Sequence, residues 1–260
     1  MSVIVITLAA LFGLCIGSFL NVCIHRLPRE ESVVHPGSHC GACGAPVAWY
    51  DNLPVISYLV LGGKCRACRA PYSVRYLWVE VLTAVVFAIT AAVTPPDALH
   101  ILLGARLVFA ALLIALFFID LEHQLLPDVL TLPGIAIGLL ASLFVPPGIV
   151  ACVIGAAVGG GVLQAIRLAW KRATGQHGMG FGDVKMLAMI GAFLGWEQVW
   201  FVLFAASLTG AVVGVAITVA GRGSMKTRLP FGTFLAVAAL IAAWWGEPLV
   251  AWYVGLITLQ

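Results

Sequence analysis

Asp120 and Asp183 are the residues of this chain best placed to do chemistry. Asp120 ends the apolar run from Ala111 to Ile119; Asp183 follows Gly180-Phe181-Gly182 and opens the apolar run that starts at Val184. An ionisable group at the mouth of a membrane helix is costly and is by default a functional candidate. Two carboxylates about a hydrogen bond apart cannot both ionise, so they share a proton. The ionised member can take a proton from water while the protonated one polarises a carbonyl, which is aspartic peptide hydrolysis. The glycines of Gly178-Met179-Gly180-Phe181-Gly182 let backbone come close to a substrate strand, and an extended peptide can pair with backbone exposed in this way.

Blander roles compete for the same residues. Asp183 also fits a helix N-cap or first-turn acid, and Asp128 fits that role in Leu126-Pro127-Asp128. Glu122 and His123 read as a solvated loop. A glycine-rich phosphate cradle has neither a preceding strand nor a following GK[ST]. Asp120 is harder to dismiss, because an acid at a helix C-terminus opposes the macrodipole.

The elements that must hold these acids are membrane helices. The 260 residues are 62% hydrophobic and only 10% charged, against about 25% charged in soluble domains. Mean hydropathy is strongly positive. About eight apolar spans are expected, near 2–24, 77–94, 99–119, 129–145, 149–168, 184–195, 198–220 and 230–245. The first lacks a basic n-region and reads as a retained helix. The sixth is short of the ~20 residues a crossing needs, so it is tilted, re-entrant or mis-bounded. The tail 249–260 is apolar and lies at the interface or forms a ninth half-span. Gly155 and Gly159 read as a close-packing face. No convincing internal repeat stands out.

With the N-terminus outside, thirteen of the fourteen Lys and Arg residues fall on one side, including Arg167, Lys171, Arg172, Lys185, Arg222, Lys226 and Arg228. The opposite loops, such as 94–97 with Asp97, hold none, which is a positive-inside pattern placing Asp120 and Asp183 on the cytoplasmic side. Arg106 is the exception, inside the third span. The net charge of +3 therefore reports topology, and no basic, aromatic-laced stripe argues for nucleic acid.

The polar stretch 25–76 reads as a small cytoplasmic insertion after the first helix. Cys40-x2-Cys43 and Cys65-x2-Cys68 are two knuckles that suit a zinc-ribbon-like tetrahedral site. Lys64, Arg66 and Arg69 would offset its negative charge, and a segment poor in large apolar residues needs a staple. The alternatives are two disulfides, a redox pair or free thiols; a reducing cytoplasm disfavours the first, and no βαβ context supports the second. A closed four-thiolate site has no open position for catalysis.

Taken in order, these blocks resemble the bacterial type IV prepilin peptidases, a family of GxGD aspartic membrane proteases. The matching stretches are 17–28, both cysteine pairs, 52–65, Ile119-Asp-Leu-Glu-His-Gln-Leu-Leu-Pro-Asp128, Gly178-Met-Gly-Phe-Gly-Asp-Val-Lys185 and Pro230-Phe-Gly-Thr-Phe-Leu235. The resemblance implies an all-α polytopic protein of the bacterial inner membrane. Its parts would be a first helix (1–24), a four-cysteine domain (25–76) and a helical protease domain (77–260). It implies Asp120 and Asp183 as the catalytic dyad and a prepilin or pseudopilin substrate cut on the cytoplasmic side. The new N-terminus would then be methylated from S-adenosylmethionine. Gly180 and Gly182 would lie near the substrate, and Glu122 and Asp128 are candidates to attract its basic leader. No glycine fingerprint marks the methyl-donor site. The rival readings are another GxGD intramembrane protease, a proton-coupled transporter and a zinc adaptor without chemistry. The cysteine domain and the Leu-Pro-Asp block speak against the first. The placement of both acids at one face speaks against the second, since transporters usually hold such acids near the midplane.

Overall fold

In lipid a chain must satisfy its backbone groups internally, and this one does so with helices. The computed structural model describes residues 2–96, 99–176, 178–221 and 229–258. Among them there is no strand, only two isolated bridges. The helices are α1 (Val3–Arg26), α2 (Ile56–Val60), α3 (Arg75–Val93), α4 (Leu99–His123), α5 (Asp128–Ala141), α6 (Ile149–Thr174), α7 (Phe181–Leu194), α8 (Trp196–Val219) and α9 (Phe231–Thr258). Five of these, α1, α3, α4, α6 and α8, are long and apolar enough to cross a membrane, and the chain is a multi-pass membrane protein. Each of the eight expected spans appears as a helix, with shifted borders. The fourth stops at Ala141 rather than 145. The tail is not a separate ninth element, because α9 continues through Pro248 to Thr258. Asp97, Arg222, Lys226 and Arg228, which enter the charge asymmetry, lie outside the described residues.

The chain divides into two compact units, Met1–Leu103 and Gly104–Gln260. In the first, α1 and α3 pack closely. A Cβ on Gly13 would lie 2.8 Å from Ala84 Cα, and one on Gly17 would lie 2.7 Å from Glu80 Cα. The polar segment between them forms two 3-10 turns (Leu27–Arg29 and Trp49–Asn52), α2 and two cysteine knuckles. Arg26, ending α1, donates to the carbonyls of Ser32 and Pro36, both at 2.8 Å, and of Gly37 at 3.2 Å. The large apolar side chains of Trp49, Ile56, Leu59 and Val60 point outward. The segment thus has little core of its own, which is the situation that calls for a staple.

In the second unit α7 is the hub. Its fourteen residues rise ~21 Å, less than the ~30 Å of a hydrocarbon core. Helices α5, α6, α8 and α9 pack around it, and Met186, Leu187, Met189 and Ile190 are fully buried. A helix apolar on all sides belongs inside a bundle, which explains why the sixth span looked too short: protein, not lipid, surrounds it. The α6 glycines make room for it, since a Cβ on Gly159 would lie 2.6 Å from the Leu187 carbonyl oxygen. From α4, Phe109 stacks on Phe193 at 4.6 Å.

Candidate active site and cysteine knuckles

Asp120 sits in the last turn of α4 and is 4% exposed. The end of α4 disfavours its charge, but the start of α9 reverses that balance. The Thr233 backbone N–H donates to Asp120 Oδ2 at 2.9 Å, and the Gly232 N–H adds a second bond. A helix N-terminus carries unsatisfied donors and a positive partial charge, so α9 supplies the cation-like partner that α4 lacks. The Gly232 hydrogen is needed for this contact: a Cβ there would lie 2.9 Å from Asp120 Oδ2 and 3.1 Å from Leu126 Cδ1.

Asp183 is 8% exposed and is the third residue of α7, whose N-cap is Gly180. Its carboxylate accepts from the Gly180 backbone N–H, the reach-back half of a capping box. The first-turn role weighed from the sequence is therefore real. It does not exhaust the residue, because Asp183 also feels the repulsion of Asp120. Leu126 links the two: its Cβ would be 2.8 Å from a Cβ on Gly182, while its Cδ1 abuts Gly232 beside Asp120. Two acids 63 positions apart in the chain are thus held in one buried region by the starts of α7 and α9.

The other expected residues divide. Gly180 and Gly182 flank Asp183 and belong to this region. Asp128 forms an ion pair with Lys185, and the same ammonium lies 5.0 Å from the Phe181 ring centroid. Glu122 is on the exposed last turn of α4, 3.9 Å from His123 Nε2. The sequence reading assigned no role to Gly232 or Thr233. Their block, Pro230-Phe-Gly-Thr-Phe-Leu235, was visible, yet nothing local reveals that it grips an acid 113 residues away.

The four cysteines converge in the first unit. The Sγ atoms of Cys40, Cys43, Cys65 and Cys68 all lie within 4.8 Å of one another, and Cys40 to Cys68 is 3.8 Å. For Zn–S bonds of ~2.3 Å the edge of a tetrahedron is ~3.8 Å, so the cluster has the size of a four-thiolate metal site. No disulfide joins them in this structure. Backbone N–H groups of Ala42 and Cys43 pull the Cys40 thiol below its ordinary value, and those of Cys68 and Ala67 bring Cys65 to about 6. Cys68 moves the other way, to about 11: the Ala70 N–H lowers it, but the neighbouring thiols and burial raise it more. The knuckles are copies of one another, contrary to the absence of a repeat in the sequence reading. Cys40 N–H bonds to the Ala45 carbonyl and Cys65 N–H to that of Ala70, both at 2.8 Å. Bridges join His39 to Pro46 and Lys64 to Pro71. Gly44 and Arg69 occupy the matching left-handed position, with φ of 71° and 59°. The unit is Cys-x-Ala-Cys-x-Ala-Pro, written twice.

Fold and site together define a helical membrane protein with a buried carboxylate pair and a four-thiol cluster. The model of the Bacterial Peptidase A24 N-terminal domain matches residues 11–94, and that of the Type IV leader peptidase family matches residues 107–215. A prepilin leader peptidase/N-methyltransferase of Aeromonas salmonicida is 39% identical over 96% of this chain and 94% of its own. Those so named from Aeromonas hydrophila and Pseudomonas aeruginosa are 40% and 37% identical, over 95% and 94% of this chain and 93% and 91% of theirs. No solved structure matches. The chain belongs to the type IV leader peptidase family.

Proposed function

We propose that this protein cleaves the leader from prepilins or pseudopilins and methylates the N-terminus so exposed, with Asp120 and Asp183 as the hydrolytic pair. The observation that carries the hydrolysis is the burial of both carboxylates in one region, each held by backbone N–H donors at the start of a helix. One carboxylate removes a proton from water; the other, protonated, donates to the scissile carbonyl. No covalent intermediate forms. Fixed donors at the carboxylates keep their orientation without reorganisation during the reaction. Gly180, exposed at the N-cap of α7, leaves backbone open to an extended substrate segment, whereas Gly182, inside α7, packs against Leu126. Glu122 and Asp128 remain the candidates for attracting a basic leader, the second beside Lys185.

The charge asymmetry of the loops supports an inner-membrane location with the dyad facing the cytoplasm. The domain reading goes with it: a first helix (1–24), a four-cysteine domain (25–76) and a protease domain (77–260). The cysteine cluster fits structural zinc by donor type and spacing, and its role is to hold 25–76 in shape. S-adenosylmethionine is the methyl donor; it supplies an electrophilic methyl group on a sulfonium.

The test is cleavage of a prepilin-derived peptide by the purified protein in lipid. Asp120→Asn and Asp183→Asn, both nearly isosteric, should each lower turnover by at least ~10²-fold while leaving substrate binding intact, the scale of a lost acid or base. Full activity in either variant would remove the dyad from the mechanism.

A further inference from the structure

The Asp183 carboxylate accepts from the Gly180 N–H, so whatever fixes Gly180 helps to aim the acid. Gly180 is exposed and has no side chain to anchor it. Its neighbour Phe181 is a weak anchor by burial, being 49% exposed. It is gripped by charge instead. The Lys185 ammonium lies 5.0 Å from the Phe181 ring centroid and the Arg167 guanidinium 5.3 Å, both inside the ~6 Å reach of a cation–π contact. We propose that Arg167 and Lys185 are positioning residues for hydrolysis: they clamp the Phe181 ring and thereby set the direction of the Asp183 carboxylate. The proposal deepens the hydrolytic reading above and rests on it.

Helix register puts the clamp and the acid on opposite sides of one turn. Phe181 and Lys185 are four residues apart and share a face of α7. Asp183 lies midway between them in sequence, about 200° around the axis from each. The acid can therefore face Asp120 while the back of the same turn is held. Purely apolar packing would bury the ring. Two cations beside a half-exposed ring use its π face rather than its volume.

Each cation ties the ring to a different helix. Lys185 pairs with Asp128, the first residue of α5. Two like charges at one ring repel each other, and Asp128 offsets one of them, so this ion pair belongs to the clamp. Arg167 comes from α6, where its NH1 group bonds Gln164 Oε1 at 3.3 Å. Its Nε is shielded from solvent and has no hydrogen-bond acceptor among the described residues. Buried donors are nearly always satisfied, and the Phe181 ring is the partner that the structure offers this guanidinium. Three residues further along α6, Trp170 closes on the same loop: a Cβ on Gly178 would lie 2.7 Å from its Nε1. The start of α7 is thus pinned to α5 and α6 at once.

The experiment measures kcat and KM for a prepilin-derived peptide with the full protein in lipid, beside thermal unfolding as a check on the fold. Phe181→Leu keeps an apolar side chain and removes the π face. It should lower kcat by ~10-fold or more with KM unchanged, the mark of a misplaced reacting group. Phe181→Tyr keeps the face and should hold kcat within about twofold of the parent. Arg167→Met and Lys185→Met should each lower kcat, and adding Phe181→Leu to the two together should cost little more, because residues acting through one contact are not additive. Parental kcat in Phe181→Leu, equal losses in the Leu and Tyr variants, full additivity with the cation changes, or a rise in KM alone would each overturn the clamp. If Phe181→Leu does not fold, the Met variants decide, and parental kcat in both overturns it. Asp183→Asn, run alongside, separates the two readings. Full cleavage by that variant removes the hydrolytic pair and the clamp with it; an inactive Asp183→Asn beside a fully active Phe181→Leu removes the clamp alone.

Discussion

Asp120 owes its place to an atom that is missing. Where Gly232 has a hydrogen, a methyl carbon would stand 2.9 Å from Asp120 Oδ2 and 3.1 Å from its Cγ. Leu126 closes the other side, so the carboxylate must move. Gly232→Ala is therefore expected to lower kcat by ~10²-fold, the cost of about an ångström of misplacement, with KM and thermal stability little changed. Steady-state kinetics on the peptide substrate measure the split; a rise in KM alone would mean that Gly232 serves substrate binding instead. The shared proton sets a second expectation. At low pH both carboxylates are protonated and the base is lost; at high pH both are ionised and the acid is lost, giving a bell-shaped rate profile. Either Asn variant should abolish the bell rather than shift it. The anomaly of an acid at the end of α4 was legible in the sequence. The compensating N–H donors were not, because a contact between residues 120 and 233 leaves no local trace.

The helices that carry these residues are set by glycines whose roles differ although they are neighbours in sequence. A Cβ on Gly159 would lie 2.6 Å from the Leu187 carbonyl oxygen, in the backbone of α7, whereas one on Gly161 meets nothing within 4 Å. Gly159→Ala should destabilise the protein by ~1–3 kcal/mol, the usual cost of overpacking, and should reduce cleavage because α7 carries Asp183. Gly161→Ala should stabilise it by up to ~1 kcal/mol through helix propensity alone. Thermal unfolding in detergent separates the two, and equal shifts would mean that α6 and α7 are not tightly packed. Hydropathy located all eight long helices because lipid forces a continuous apolar run. It misjudged α7, since length rules assume that lipid surrounds a span, and here protein does. The knuckle repeat was legible as Cys-x-Ala-Cys-x-Ala-Pro starting at Cys40 and again at Cys65, but the match is confined to two short copies, and Arg69 stands where its twin has Gly44.

At the scale of the whole molecule, the chemistry is divided between two compact units. Every residue argued to act in hydrolysis lies in Gly104–Gln260, while the four thiols lie in Met1–Leu103. The second unit is built on a packed apolar core around α7, so its stability needs no metal. The segment between α1 and α3 turns its large apolar side chains outward and depends on its staple. Structural zinc is folding free energy for such a segment. Mass spectrometry under native conditions should find one zinc ion per chain, and Cys40→Ser with Cys65→Ser should lose it. Chelation should then expose residues 27–74 to protease and leave peptide cleavage unchanged. Loss of cleavage on the same treatment, with α4 to α9 still protected from protease, would show that hydrolysis depends on the stapled segment.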